Sequence, residues 1–252
     1  MFSFAEENYL KAIYHLSNHG LASVSTNALA EEMQTTAASV SDMMGKLSKK
    51  KVVDYQKYRG VNVSAKGKEV ALRVIRKHRL WEVFLVDKLN FHWDEVHDIA
   101  EQLEHIKSPL LISRLDEFLN FPKHDPHGDP IPDEHGVFST VKKIQLTELE
   151  SNMPSQVVAV NDSSTAFLKY LDKVGISIGT KIQIEDRNNA VPQFQDEYQK
   201  GYDRLTSGLA FSQFIGYTHL SLNRRINFYI GIEAIQAFTQ GRRSTNFNNQ
   251  TN

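Results

Sequence analysis

The chain has 252 residues, enough for two or three domains with separate cores, and no cysteine, which excludes disulfides, iron–sulfur clusters and thiolate metal sites. Mean hydropathy is -0.41 and charges interrupt every apolar run, so no membrane span is expected; the early acids of MFSFAEENYLKAIYHL do not form a signal peptide, and the default expectation is a cytoplasmic protein. The net charge of -1 averages unlike parts: residues 1–77 carry 12 Lys and Arg against 7 Asp and Glu, residues 78–135 carry 5 against 13 together with 7 of the 10 histidines, and residues 136–252 carry 12 against 10. A basic head and an acidic, histidine-rich middle suggest a part that binds a polyanion and a part that binds a cation.

Residues 4–18 show an amphipathic helical pattern with Tyr9, Leu10, Ile13, Tyr14 and Leu16 on its apolar side, ending in a turn with Gly20 as the expected C-cap. Ser25 or Thr26 begins a short helix, and Thr35 or Thr36 begins another whose Val40, Met43, Met44 and Leu47 face a core. The other face of this second helix carries Thr36, Ser39, Ser41 and Asp42, then Lys46, Lys49, Lys50 and Lys51. Two short helices joined by a tight turn fit a helix-turn-helix, with small hydroxyls able to enter a major groove and lysines able to reach phosphates. An ordinary helical hairpin fits this segment equally well. The next residues decide for the former: runs at Val52–Tyr55 and Val61–Ser64 flank a basic turn with Lys57 and Arg59, giving a β-hairpin wing. Thr35, Thr36, Ser39, Ser41, Asp42, Lys46, Lys49, Lys57 and Arg59 are the candidate DNA-binding residues.

From Gly67 to about Lys88 the pattern is one long helix, which joins this head to the stretch HRLWEVFLVDKLNFHWDEVHDIAEQLEH. His78 and Glu82 are four apart and share a face. Residues 94–105 are expected to form a second helix presenting His97, Glu101, Glu104 and His105 on one side. Imidazole and carboxylate on two adjacent helices suit a divalent cation, whereas a solvated acidic face is the ordinary alternative. A third helix at 108–121 carries more leucine, isoleucine and phenylalanine than a small helix buries alone, so part of it is expected to form a dimer interface rather than monomer core. FPKHDPHGDPIPDEHG is dense in Pro, Gly and Asp and is expected to be a linker rather than a metal site. Beyond Val137, β-type runs at 156–161, 180–186 and 226–231, with a short helix between the first two, suggest a small SH3-like barrel. Residues 187–222 fit no element, and the tail from Gly241 has a disordered composition.

The blocks YLKAIYHL, VSDMMGKL, KYRGVNVSAKGKEVA, RKHRLWEVFL, EVHDIAEQLEH and DPHGDPIP, in this order, resemble the diphtheria toxin repressor and manganese transport regulator family of metal-dependent transcriptional regulators over roughly residues 4–186. The resemblance implies a mainly α, multidomain chain: a winged helix-turn-helix DNA-binding domain at 1–75, a helical metal-binding and dimerisation domain at 76–136, and an SH3-like β-barrel at 137–240 before a tail at 241–252. It implies a homodimer that binds double-stranded operator DNA when loaded with metal. By position, Asn8, Glu101, Glu104 and His105 would form a principal metal site, and His78, Glu82 and His97 an ancillary one. Iron-responsive members usually have cysteine at the position of Glu101 and manganese-responsive ones a carboxylate, which points to Mn(II), with Fe(II) as the alternative and Zn(II) or Co(II) able to bind in vitro. Two departures stand out. Manganese-type members place Asp and Glu on the first helix, where this chain has Asn8 and Lys11. At the barrel-helix positions that donate ligands in some members, it has Ala166 and Lys169.

The function expected is a Mn(II)-responsive repressor of metal-uptake genes, not an enzyme. A carboxylate-bridged di-metal enzyme would also use Glu-x-x-Glu-His beside a His/Glu helix, but leaves residues 25–77 without a role. A winged-helix regulator that senses another signal is the third possibility.

Overall fold

The computed structural model describes residues 2–57, 59–139, 143–184 and the backbone of 228–231; the unassigned stretch 187–222 and the tail 241–252 lie outside them. Contacts divide the chain into two units, one of residues 1–125 and 130–139, the other of 126–129 and the chain from 140 onward.

In the first unit, α1 (Phe4–Leu16) starts in a capping box. The Ser3 hydroxyl accepts from the Glu6 amide and the Glu6 carboxylate accepts from the Ser3 amide, satisfying two of the helix's orphan donors. Glu6 also pairs with Lys50 at 2.6 Å, tying the start of α1 to the end of the helix at Ala37–Lys49. The C-cap is Ser17, not Gly20 as expected. Ser17 is fully buried; its hydroxyl donates to the Tyr14 carbonyl and accepts from the Gly20 amide, so the turn closes earlier, with Gly20 kept for its positive φ of 87°.

Helices α2 (Thr26–Glu32) and α3 (Ala37–Lys49) are capped by Ser25 and Thr36, whose hydroxyls accept from the amides of Ala28 and Ser39. Strands β1 (Val53–Gln56) and β2 (Gly60–Val63) pair antiparallel, and Val61 also bridges Val24, so the wing is fastened to the segment before α2. Gly60 permits this approach: its φ is +91°, and a Cβ there would lie 2.6 Å from the Val24 carbonyl oxygen. Leu10, Ile13, Leu29, Val40, Met44, Leu47, Val53 and Val61 form the core, each fully buried large side chain contributing about 1.5–3 kcal/mol.

Helix α4 (Ala65–Leu89) has 25 residues, capped by Ser64 and stopped by Asn90 in the left-handed region, and so spans roughly 37 Å. Its N-terminal half contributes Val70, Ala71, Leu72 and Ile75 to the winged-helix core. Its C-terminal half contributes Leu80, Trp81 and Val83 to a second core with Ala100, Leu115, Leu119 and Ile131. One rigid element thus runs through both cores.

Helix α5 is shorter than expected, His97–Leu103 rather than 94–105, so Glu104 is its C-cap and His105 lies beyond it. The next helix, α6 (Pro109–Phe118), has proline at its first position and an extended Ser108 before it, so no helix continues from α5 into α6. The loop after α6 has no helix, as its prolines require, but it is not slack. Arg76 bonds Asp116 and the Pro132 carbonyl, Arg79 bonds the Pro130 carbonyl and pairs with Asp125, and Ile131 is buried.

In the second unit, β3 (Lys143–Gln145), β4 (Ser155–Val160), β5 (Lys181–Ile182) and β6 (Phe228–Gly231) form an antiparallel sheet in the order β3-β6-β4-β5. β3 was not anticipated: a three-residue strand carries too little alternation to stand out. Helix α7 (Thr165–Lys173) follows β4 and buries Phe167, Leu168 and Leu171.

Candidate metal centre and nucleic-acid face

The two ligand faces meet because α4 and α5 pack side by side. His78 and Glu82 lie one turn apart on the buried face of α4, and the first residue of α5 brings His97 against them, the two imidazole rings 5.0 Å apart. One donor atom from each of His78, Glu82 and His97 lies within 4.8 Å of the others. Glu82 Oε1 is 3.1 Å from His78 Nε2 and 3.7 Å from His97 Nδ1. A first-row divalent ion holds nitrogen and oxygen at about 2.0–2.2 Å, so its ligands stand roughly 3–4 Å apart. These three residues fit such an ion with small side-chain adjustments.

Glu104, fully buried, joins this trio to the second group. Its Oε2 is 2.6 Å from His78 Nδ1, so both ring nitrogens of His78 face carboxylates. Burial alone would lower the His78 pKa, but the hydrogen bonds to Glu104 and Glu82 outweigh it and raise it to about 9. For Glu104, burial works toward the neutral acid, and the bonds from His78 and Lys11 reverse this and hold the carboxyl below its ordinary value. Metal-free, His78 is therefore an imidazolium donating on both sides, and a cation must displace a proton to use it.

Among the four residues expected for the principal set, Glu101 and Glu104 converge, but on an internal cation. Lys11 Nζ donates to both Glu104 oxygens at 2.8 and 2.9 Å and to Glu101 Oε1 at 3.3 Å. His105 Nδ1 is engaged by Glu7 at 2.7 Å, and its ring stacks on Phe4 with centroids 4.6 Å apart. Asn8 Oδ1 is buried and has no hydrogen-bond partner among the described residues, an arrangement that ordinarily costs about 1–3 kcal/mol. This set therefore fits a cation in its donor chemistry and carries a spare ligand oxygen, with Lys11 among its carboxylates. Glu7 and Lys11 were absent from the sequence-derived ligand sets. Spacing on α1 was the available signal: Lys11 is four residues from Glu7 and three from Asn8, and residues three and four apart share a face.

The candidate nucleic-acid face lies on α3 and the wing. Thr35, Thr36, Ser39, Asp42, Lys46, Lys49, Lys57 and Arg59 are exposed, and Ser41 is half-buried. Thr36 and Ser39 hydroxyls lie 3.0 Å apart at the helix start, while the Ser41 hydroxyl bonds back to the Ala37 carbonyl and accepts from Tyr55 of β1. Helix and wing are thus linked through Ser41. α6 leaves Leu110, Leu111 and Phe118 exposed at 62%, 41% and 59%, an apolar face left open in the single chain.

A helix-turn-helix with a wing, continuous through one helix with a carboxylate–imidazole centre and an open apolar helix, defines a metal-dependent DNA-binding regulator. Residues 1–61 match the iron-dependent repressor N-terminal DNA-binding domain, and residues 64–133 match the iron-dependent repressor metal-binding and dimerisation domain. The iron-dependent repressor IdeR of Mycobacterium leprae is 33% identical over 159 residues, 60% of this chain and 69% of that protein. The diphtheria toxin repressor of Corynebacterium glutamicum is 30% identical over 196 residues, 73% of this chain and 85% of that protein. Among solved structures, a manganese-dependent transcriptional repressor in complex with manganese is 36% identical with a TM-score of 0.65, covering 73% of this chain and 85% of the other. ScaR with bound Cd2+ is 27% identical with a TM-score of 0.64, covering 90% and 99%. The chain belongs to the diphtheria toxin repressor family of metal-dependent transcriptional repressors.

Proposed function

We propose that this repressor responds to Mn(II) and controls metal-uptake genes as a homodimer on double-stranded operator DNA. The observation that carries the metal reading is the His78–Glu82–His97 trio, whose donor atoms lie within 4.8 Å of one another on two packed helices. The donors in both sets are oxygen and nitrogen, and Glu101 supplies a carboxylate where iron-type members usually have cysteine; such a set suits Mn(II). Fe(II) is the second reading, favoured by Asn8 and Lys11 in place of the acids of manganese-type relatives. The family neighbours include proteins named for each metal.

In this reading Thr35, Thr36, Ser39, Ser41 and Asp42 meet base edges, and Lys46, Lys49, Lys57 and Arg59 meet phosphates. The open face of α6 forms the dimer contact. Residues 1–75, 76–136 and 137–240 act as the DNA-binding, metal-binding and SH3-like parts. A bound divalent cation would supply concentrated positive charge to carboxylates that otherwise repel one another. The chain's own contribution is α4, which carries His78 and Glu82 on the same helix that fills the winged-helix core. Ordering at its C-terminal half thereby sets the position of α3. Two α3 helices held about 34 Å apart would meet successive major grooves. Moving the competent population from 1% to 99% takes about 5.5 kcal/mol of differential binding.

The test is selection of sites from a randomised duplex pool, run anaerobically with Mn(II), with Fe(II) and with chelator. Enrichment of one palindromic site with Mn(II) at lower free concentration than with Fe(II) is expected. Equal enrichment under chelation would overturn metal dependence, and a lower threshold for Fe(II) would reverse the choice of metal.

A further inference from the structure

We infer that the Lys11 ammonium is a tethered competitor for the principal metal-ligand set, pairing with the carboxylates of Glu101 and Glu104 that a divalent ion must take from it. This rests on reading Glu101, Glu104 and His105 as metal ligands, and adds to it a built-in rival for the site. Three observations support it. Lys11 reaches both oxygens of a fully buried carboxylate and one of a second, which is the grip a cation would have there. The Lys11 side chain is itself 15% exposed, so its ion pair is sheltered from solvent screening. One helical turn before it, Asn8 keeps a buried carbonyl oxygen that no donor in the described residues satisfies, so the set retains a ligand that Lys11 does not use.

A lysine ammonium offers three donors and no acceptor, and Lys11 spends them on Glu101 and Glu104, leaving out the Asn8 carbonyl oxygen and the His105 ring that a metal would also hold. A divalent ion entering while Lys11 stays would place like charges within a few ångströms of each other, and Lys11 must swing out toward solvent. Two consequences follow. The principal set fills at a higher free metal concentration than the His78 trio. The link between α1 and the end of α5 also persists in the metal-free protein, because Lys11 and Glu104 make it.

The experiment is Mn(II) binding to the full chain by equilibrium dialysis, with room-temperature electron paramagnetic resonance to count free ion. It uses a His97→Ala background, so that the trio is disabled and the principal set is read alone. Lys11→Met is expected to tighten Mn(II) binding tenfold or more, equivalent to about 1.4 kcal/mol, while Lys11→Arg, which keeps a cation, stays near the parent. Tryptophan fluorescence confirms that each variant is folded. Unchanged or weaker binding in folded Lys11→Met, with the parent binding normally, overturns the competitor and leaves the metal reading intact. Absence of Mn(II) and Fe(II) binding in every variant and in the unaltered chain overturns the metal reading itself, and this inference with it.

Discussion

Glu104→Ala is expected to destabilise the metal-free protein, not merely to disarm a ligand. Glu104 is fully buried and accepts two hydrogen bonds from Lys11 and one from His78, both side chains themselves largely enclosed. Removing it leaves an ammonium and an imidazolium facing each other without their shared counter-charge. Breaking a buried pair from one side typically costs 3–5 kcal/mol, much of it the penalty on the abandoned charge. Lys11 retains Glu101 and His78 retains Glu82, so the lower end, about 3 kcal/mol, applies. With a urea m-value of about 2–3 kcal/mol/M, the midpoint falls by about 1–1.5 M at unchanged m. Trp81 and Trp93 are the chain's two tryptophans and both lie in the first unit, so their fluorescence follows that unit alone. The measurement is urea unfolding in chelator of the parent, Glu104→Ala, Lys11→Met and the double variant. The double variant should recover part of the loss, because the stranded ammonium is gone. A midpoint drop below about 0.3 M, or strict additivity of the two changes, would refute the reasoning.

Lys49→Ala removes an exposed charge near the end of α3 and should weaken DNA binding evenly across sequences, lowering the salt slope by about one; a change in base preference alone would contradict its assignment to phosphate. Leu110→Glu combined with Phe118→Glu places charges on the exposed face of α6, and sedimentation should then show monomer where the parent is a dimer, with the monomer's fluorescence unchanged. The His78 pKa of about 9, against an ordinary 6.5, makes a signed prediction for metal-free protein. A group raised on folding contributes its full stability below the unfolded value and loses it as pH rises through the folded one. Stability from His78 should therefore decline between about pH 6.5 and 9, and the decline should vanish in His78→Gln, as read from urea midpoints across that range.

The elements of the head were legible because local rules decide them. Ser25, Thr36 and Ser64 each precede a helix and each caps it, and the alternating valines around a basic Gly turn define the wing. The span of α4 was legible for the same reason, an unbroken 3.6-residue pattern with neither Pro nor Gly after Gly67. The end of α5 was not, since the spacing of Glu101, Glu104 and His105 fits equally a helix that runs on to 105. The Pro-rich loop was legible as loop, but its attachment to Arg76 and Arg79 depends on residues some fifty positions away.

The sequence alone determined which residue types could bind a cation and that none of them is a thiolate, because donor chemistry belongs to side chains wherever they lie. It also determined that His78 and Glu82 share a face, since helical periodicity is a local property. The family resemblance grouped His97 with them, but only the tertiary structure shows the packing of α4 and α5 that brings its donor atom within reach. Only it decided that Lys11, 93 positions from Glu104, lies among the carboxylates. Such a contact is made by the approach of α1 to the end of α5, and nothing in the spacing of either segment encodes the distance between them.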